Sequence, residues 1–440
     1  MPKPTVAVAM SGGVDSSVTC MLLAEQGFDV FGITMKILGA PATPLHTACA
    51  PPIEHEAREI CRKLGVPHHT VDLTEEFEAE IITPFIESYS RGTTPNPCVL
   101  CNAKFKFGYL LNKAMELGAD YLATGHYARA GRIPEHTGEF IENHVMAATT
   151  AANADAATGT DRAGAESRDA AVASAGQAGA VAEASMADPG RGQRHLLARG
   201  LDPGKDQSYV LYRLNQDMLA HAMFPLGSFT KKQVTGLSRR RGLLAAEKPE
   251  SQEICFVGGA GWNSYRELLR ERNAEARPGL IVDTSGRVLG RHQGLAYYTV
   301  GQRRGLGVSA PYSLYVVGLD PEANQVIVGK REEAYAKGCY IDDVNFIMSD
   351  YPEAPVRGSC MVRYRGKEVN ATLIPGREGR PDGGKDGVLG DSSGKGPGLR
   401  NGVVLVKFDE PQFAVTPGQS LVFYQGDLVY GGGIIIEPVR

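Results

Sequence analysis

Short apolar runs alternate with longer amphipathic stretches through the first third of the chain. Thr5-Val6-Ala7-Val8-Ala9 reads as a buried strand, and Val18 to Gly27 as a helix that closes on a glycine. Val30 to Met35 predicts a second strand and His68 to Asp72 a third. Between them, Glu54 to Gly65 carries Ile60, Cys61 and Leu64 on one helical face. Phe77 to Tyr89 predicts another helix, and Tyr121 to Arg129 a strand that ends in a polar turn. Strands separated by helices predict an α/β unit on a parallel sheet. Asp217 to Gly242 keeps helical periodicity. From Pro278 the period changes to that of strands, through Gly279–Asp283, Gly286–Gly290 and Ala296–Val300. Beyond them lie Ser313–Leu319, Gln325–Gly329, Gly358–Arg365, Val403–Phe408, Ser420–Tyr424 and Leu428–Ile436. Short strands with Gly, Pro and Asp turns predict a small β-barrel.

Two stretches break the pattern. From Glu142 to His195 there is no Ile, Leu, Phe, Tyr or Trp, and residues 375–402 are rich in Gly, Asp, Ser and Lys. Neither has enough apolar area to offset chain entropy, so both are expected to be disordered. The expected organisation is an α/β unit over 1–214 with an insertion at 142–193. A central mixed unit follows over 215–312. A β-barrel completes the chain over 313–440, with a loop at 375–402.

Composition narrows the class. The chain has 440 residues, 42% hydrophobic and 22% charged, with a formal charge of −4. No apolar run reaches membrane-spanning length, and the amino terminus lacks a signal-peptide core. A cytoplasmic protein with no membrane role is the expectation. Any nucleic-acid partner must meet local rather than global positive charge. Such charge lies at Lys231-Lys232, at Arg239-Arg240-Arg241 and in the Gly-rich loop Gly301 to Gly307. Eight cysteines are scattered at 20, 49, 61, 98, 101, 255, 339 and 360, unlike a disulfide framework. His46 with Cys49, and His68 with His69, lack metal-ligand spacing.

The first candidate for chemistry is Ala9-Met10-Ser11-Gly12-Gly13-Val14-Asp15-Ser16-Ser17. A strand, a Gly-rich turn and a helix start form an anion site, with hydroxyl donors from Ser11, Ser16 and Ser17. No lysine follows the glycines, so this is not the GxxxxGK[ST] loop. It resembles the SGGxDS loop of the PP-loop ATPases, which bind ATP and release pyrophosphate. Met35 and Gly125 lie at strand ends that would face the same cleft. Asn96-Pro97-Cys98-Val99-Leu100-Cys101 holds a CxxC at a helix start, where a lowered thiol pKa is expected. Cys255 lies in a polar-flanked, extended stretch, and Lys205-Asp206-Gln207 in a polar turn.

Taken in order, several motifs are similar to those of the tRNA-specific 2-thiouridylases of the bacterial MnmA (TrmU) type. They are the Ser11–Ser16 loop, Pro95 to Asn102, Gly125 to Arg129, Lys205 to Tyr209, Ile254 to Phe256, Tyr298 to Arg303 and Thr416 to Ser420. The resemblance covers nearly everything outside the two low-complexity stretches. It implies a PP-loop domain, a central mixed domain and a β-barrel. It also implies ATP-dependent 2-thiolation of the wobble uridine of tRNA, of the Glu, Gln and Lys type. ATP would sit against Ala9, Met10, Ser11, Gly12, Gly13, Val14, Asp15, Ser16, Met35 and Gly125, with Mg²⁺. Adenylation of the uridine C2 oxygen would make it a leaving group.

In that family the cysteine matching Cys255 carries a persulfide delivered by a cysteine desulfurase or sulfur carrier. The cysteine matching Cys101 acts as the second thiol and closes a transient disulfide with it. Asn96, Pro97 and Cys98 would meet the target base. His126, Lys205, Asp206, Gln207, Arg363, Tyr364 and Gln419 would meet the tRNA. Many members carry Asp where this chain has Cys98, which removes that residue's acid–base role. Cys98, Cys101 and Cys255 would instead offer three thiolates to a [4Fe–4S] cluster, an alternative sulfur route. A PP-loop ligase acting on a small molecule shares the ATP loop but has no use for the paired cysteines. An RNA-binding module explains the barrel but leaves the ATP loop unused.

Overall fold

The computed structural model describes residues 3–38, 53–133, 140–142, 194–243, 254–259, 265–272, 277–376 and 402–440. Residues 39–52, nearly all of the 142–193 insertion and nearly all of the 375–402 loop lie outside the described residues.

The strands of the first half are β1 (Thr5–Ala9), β2 (Asp29–Lys36), β3 (His68–Asp72), β4 (Tyr121–Ala123), β5 (Ala128–Arg132), β6 (Ile141–Glu142), β7 (Leu196–Arg199) and β8 (Ala222–Met223). Five of them form a parallel sheet in the order β3-β2-β1-β4-β8. Val6, Ala7 and Val8 on β1 have no solvent exposure, because helices cover both faces of the central strand. Helices α1 (Val14–Glu25) and α2 (Ile53–Leu64) follow β1 and β2. α3 spans 74–90 and α4 spans 97–116, each a continuous run of helical segments.

Both long helices widen in their middle to i→i+5 turns, at Glu78–Ile82 and Cys101–Leu110. In α3 the widened stretch ends just before Pro84, which has no N–H to give the preceding turn. In α4, Gly108 provides the room. A Cβ there would stand 3.2 Å from the Ala103 carbonyl oxygen.

The second half adds α5 (Gln216–His221), α6 (Lys231–Arg240), α7 (Cys255–Gly259) and α8 (Tyr265–Glu271). A mixed sheet then joins β9 (Gly279–Asp283), β10 (Val288–His292), β11 (Tyr315–Asp320) and β12 (Gln325–Gly329) in the order β10-β9-β12-β11. The remaining strands are β13 (Tyr335–Phe346), β14 (Val356–Met361), β15 (Val369–Pro375), β16 (Val404–Phe413), β17 (Ser420–Gln425) and β18 (Leu428–Val439). They run β13-β16-β15-β14-β17-β18, and β13 pairs back with β18 to close a six-stranded barrel. Closure removes both open edges.

The expected boundaries shift. The boundary at 214 falls inside the first unit, since β8 pairs with β4 and α6 packs on α1. The boundary at 312 puts β11 and β12 in the barrel. They pair instead with each other and with β9, whose partner strand is β12. Ala296–Val300, expected as a strand, holds a short 3-10 turn at Leu295–Tyr297. Barrel strands β13 and β15 were not expected. The polar Asp342-Asp343 pair interrupts apolar alternation in β13, where Asp343 has φ 47° and the register with β18 shifts.

The barrel does not stand apart. β7 pairs antiparallel with β5 and meets β18 at Leu428, so a ribbon from the first unit extends the barrel sheet. One buried apolar cluster contains Phe31, Val99 and Leu110 from the first unit with Met361, Val422 and Tyr424 from the barrel.

Candidate active site

The Gly-rich turn between β1 and α1 borders a cavity of about 220 Å³. Ala9, Met10, Ser11, Asp15, Ser16, Ile33, Met35, Thr124 and Gly125 line it, with Lys106, Leu110, His126 and Gln207. Gly12, Gly13 and Val14 form the backbone of the turn beside it. Gly13 caps α1 without a side-chain bond, which leaves the first N–H groups to the cavity end. Ser11 and Ser16 hydroxyls stand 3.2 Å apart. Ser17, expected as a third donor, is fully buried and donates to the Gly13 carbonyl at 2.7 Å instead.

Asp15 is held from outside the loop. Lys231 Nζ lies 2.7 and 2.9 Å from its two carboxylate oxygens, and Tyr127 OH donates to Oδ1 at 2.9 Å. Lys231 opens α6, which is capped by Thr230 and Gln233 in a reciprocal box. Its backbone N–H donates to Asp202 at 2.9 Å. The loop's missing lysine is therefore supplied 216 residues downstream. The sequence had placed Lys231 among charges suited to a nucleic-acid backbone. Here it faces the anion loop, and Lys232 is the exposed one.

The far wall of the cavity is α4. Lys106 Nζ lies 3.4 Å from His126 Nε2, and His126 Nδ1 lies 2.7 Å from Thr124 Oγ1. His126 is buried. Burial first, and the nearby Lys106 charge second, hold its pKa well below the usual imidazole range. An ammonium only donates, so Nε2 accepts and the Nδ1 proton goes to Thr124.

Two of the three thiols sit at the start of the same helix. Pro97 fits the first turn of α4, where a missing N–H costs nothing. Cys98 is exposed and Cys101 half-buried. Cys255, expected in an extended stretch, opens α7 instead. Phe256 beside it is buried against Phe77 and Phe85, with ring centroids 5.9 and 5.3 Å away. Phe105, four residues after Cys101, joins the same cluster, and Cys101 packs against it. That cluster brings two cysteines distant in sequence to one place. Each of the three thiols lies within electrostatic reach of another.

The expected lowering of thiol pKa at the helix start is reversed. Burial pushes Cys101 up to about 12; Cys98 and Cys255 keep exposed surface, but crowding by the surrounding protein desolvates their thiols and raises them too. At Cys255 the Lys106 charge and the N–H groups of Phe256 and Cys255 itself oppose the rise. Among the described residues no three His, Cys, Asp or Glu side chains converge closely enough to hold a metal ion. Cys98 reaches solvent while Cys101 turns into the apolar cluster, so the three thiols do not fit an iron–sulfur cluster as arranged.

The loop before α4 is tied to the barrel. Gln419 Nε2 donates to the Thr94 carbonyl at 2.9 Å, and Thr94 N–H donates to the Pro417 carbonyl at 3.0 Å. Asn96 hydrogen-bonds Tyr209, whose hydroxyl also donates to the Ser420 carbonyl at 2.6 Å. Tyr364 stacks at a tilt on Tyr209, 5.7 Å between centroids, within electrostatic reach of Cys98. Arg363 reaches the Phe413 carbonyl at 3.4 Å. Asp206 accepts from Gly200 N, Ser208 N and Ser208 Oγ, which fixes its loop. Gln207 accepts from Tyr127 N at 3.0 Å and lines the cavity. Lys205 N donates to Asp202 in the same turn.

Family profiles cover most of the chain. A "tRNA methyl transferase HUP domain" matches residues 4–152 and 170–259, a "PRC-barrel domain" of the same set 266–330, and an "Aminomethyltransferase beta-barrel domain" 398–435. The tRNA-specific 2-thiouridylase MnmA of Acetivibrio thermocellus is 38% identical over 99% of this chain and 100% of its own length. The chain belongs to the tRNA-specific 2-thiouridylase family. A second member, MnmA 1 of Caldanaerobacter subterraneus subsp. tengcongensis, is 40% identical over 99% of this chain and 98% of its own. Among solved structures, the U34-tRNA thiolase NcsA from Methanococcus maripaludis, with its [4Fe-4S] cluster, overlaps at a TM-score of 0.28. It is 15% identical and covers 62% of this chain and 68% of that one.

Two residues at this candidate site escape a reading of the sequence. Lys231 and Lys106 sit in ordinary helical stretches, and only the fold aims them at the cavity. The absent lysine in the anion loop was the one available signal for Lys231. Among the described residues no helix is long and apolar enough to cross a membrane.

Proposed function

We propose that the chain thiolates C2 of the wobble uridine in tRNA, using ATP to activate the C2 oxygen and a cysteine persulfide as sulfur source. The observation that carries this reading is that one helix, α4, packs Cys101 against the cluster that seats Phe256 beside Cys255, and lines the anion cavity with Lys106 and Leu110. A base in reach of both undergoes activation and substitution without leaving.

ATP is read into the cavity with its phosphates at Ser11, Asp15 and Ser16. A carboxylate and serine hydroxyls are the hard oxygen donors that suit Mg²⁺, which when bound would neutralise phosphate charge. The uridine O2 attacks the α-phosphorus as N3 loses its proton, and pyrophosphate leaves. The terminal sulfur of the Cys255 persulfide then attacks C2. The C2–O bond breaks, AMP leaves, and the base is joined to Cys255 through a disulfide. Cys101 attacks Cys255 Sγ, which closes the Cys101–Cys255 disulfide and leaves sulfur on C2. N3 regains its proton, and an external dithiol reduces the enzyme disulfide. A sulfur-donor protein with its own persulfide reloads Cys255. Single-stranded tRNA bases would stack on Tyr364, with Arg363, Lys205 and Gln419 around the entrance.

The test is nucleoside analysis of unmodified tRNA after anaerobic incubation with iron-free protein, Mg-ATP and a persulfide donor. 2-Thiouridine is expected, together with AMP. Both Cys101→Ser and Cys255→Ser should remove the thiolated nucleoside while tRNA-dependent pyrophosphate release from ATP, which precedes either thiol's step, continues. Thiolation that persists in either variant, or that needs iron–sulfur reconstitution, overturns the persulfide route.

A further inference from the structure

Lys106 stands between the two halves of this site. Its ammonium is 3.4 Å from His126 Nε2, and its side chain lines the cavity beside Asp15 and Ser16. Among the described residues no carboxylate pairs with it, whereas Lys104 on the same helix is bonded to Glu80 at 2.9 Å. An unpaired, half-buried ammonium facing a cavity is a charge waiting for an anion. The winding of α4 decides which anions it meets. In a regular α-helix, residues five apart point about 140° away from each other. The i→i+5 turns over Cys101–Leu110 bring Cys101 and Lys106 toward one face. The same charge opposes the effect of burial at Cys98, Cys101 and Cys255.

We propose that Lys106 is a catalytic cation used in both half-reactions: it holds an α-phosphoryl oxygen while the adenylate forms, then faces the sulfur anion as AMP leaves. This rests on the function proposed above. The ammonium keeps its protons throughout. It neutralises charge that builds first on phosphorus-bound oxygen and then on sulfur, within a poorly solvated cleft. Neutral His126 keeps the ammonium in place through Nε2 without competing for the anion.

Lys106→Met and Lys106→Arg in the full-length chain test the proposal by two independent readouts. The first is iodoacetamide alkylation of Cys101 and Cys255 at pH 8, mapped by mass spectrometry, which needs neither ATP nor tRNA. Lys106→Met should slow both at least about tenfold, the effect of one unit of thiol pKa. Lys106→Arg should stay within about threefold of the parent. The second is tRNA-dependent AMP formation, which should fall at least about a hundredfold in Lys106→Met and recover partly in Lys106→Arg. Alkylation at the parent rate in Lys106→Met overturns the role at sulfur, and unchanged AMP formation overturns the role at phosphate. A lost urea transition in Lys106→Met passes the decision to Lys106→Arg, where failure of both readouts in a folded protein refutes a charge role. If the parent itself makes no AMP with tRNA, the proposed function fails, while alkylation still judges the charge at sulfur.

Discussion

At the scale of single residues, Asp15 shows how the site is held ready for an anion. Its carboxylate takes two short bonds from Lys231 and one from Tyr127 while only a third exposed. Removing the ammonium leaves a partly buried carboxylate with a neutral donor, which costs about 1–3 kcal/mol. It also removes a positive charge beside the anion loop. Lys231→Met should weaken ATP binding at least about tenfold by calorimetry, while Lys232→Met, on the exposed side of α6, should stay within about twofold. Equal effects from the two would mean that Lys231 contributes only to the overall field. Cys101 offers a second check. Its thiol is pushed up to about 12, so the neutral form dominates at ordinary pH and the thiolate fraction grows with every unit above it. Alkylation of Cys101 in the folded chain should therefore keep rising about tenfold per pH unit through pH 10. In the urea-unfolded chain it should level off near the ordinary cysteine value of about 8.5. A plateau near 8.5 in the folded chain would show that Cys101 is solvated and that the apolar cluster does not cover it.

At the scale of elements, two short pieces frame the candidate site, and they differ in how openly the sequence declares them. The Ser11–Ser16 loop was legible because strand, turn and helix start are contiguous, so local rules suffice. The position of Cys255 was not. Polar neighbours suggested an extended loop, but Phe256 and Val257 bury against α3 and α4 and wind the chain into α7. The widened turns of α4 were equally hidden, since they depend on how Gly108 lets the Ala103 carbonyl approach. If Phe256 is the anchor, Phe256→Ala removes a buried ring at a local cost of about 3–5 kcal/mol. Oxidative closure of the Cys101–Cys255 disulfide, followed by mass spectrometry, should then slow at least about tenfold, with ATP binding unchanged. Unchanged closure would place the positioning elsewhere. The barrel loop Thr416–Gln419 acts on the other side of α4. Gly418 has φ 89°, and a Cβ there would lie 2.9 Å from Thr94 N. Gly418→Ala would push the 93–95 segment aside at about 1–2 kcal/mol, before any tRNA contact is considered.

At the scale of the whole molecule, the barrel and the nucleotide-binding unit share structure that separable domains would not. Phe31, Val99 and Leu110 pack in one cluster with Met361, Val422 and Tyr424. Asn345 of β13 donates to the Tyr212 and Leu214 carbonyls at 2.6 and 3.1 Å, and Arg199 lies 3.8 Å over the Tyr424 ring. Strand β7 carries the same connection through main-chain pairing at Leu428. The sequence divided the chain by changes in periodicity, which track local elements and not the core they come to share. That is why β8 and the β11–β12 pair fell on the wrong side of the expected boundaries. A large apolar interface makes two units unfold together, whereas a small polar one lets them move and melt independently. Calorimetry of the full-length chain should therefore give one transition for the nucleotide-binding unit and the barrel. A non-hydrolysable ATP analogue at a hundred times its Kd should shift that whole transition by about 2.7 kcal/mol, since ligand held by one unit stabilises everything that unfolds with it. Two resolved transitions, with only one moved by the analogue, would refute the shared core. The link from the barrel loop through Thr94 to the cysteines would then have to work as a contact between independent bodies.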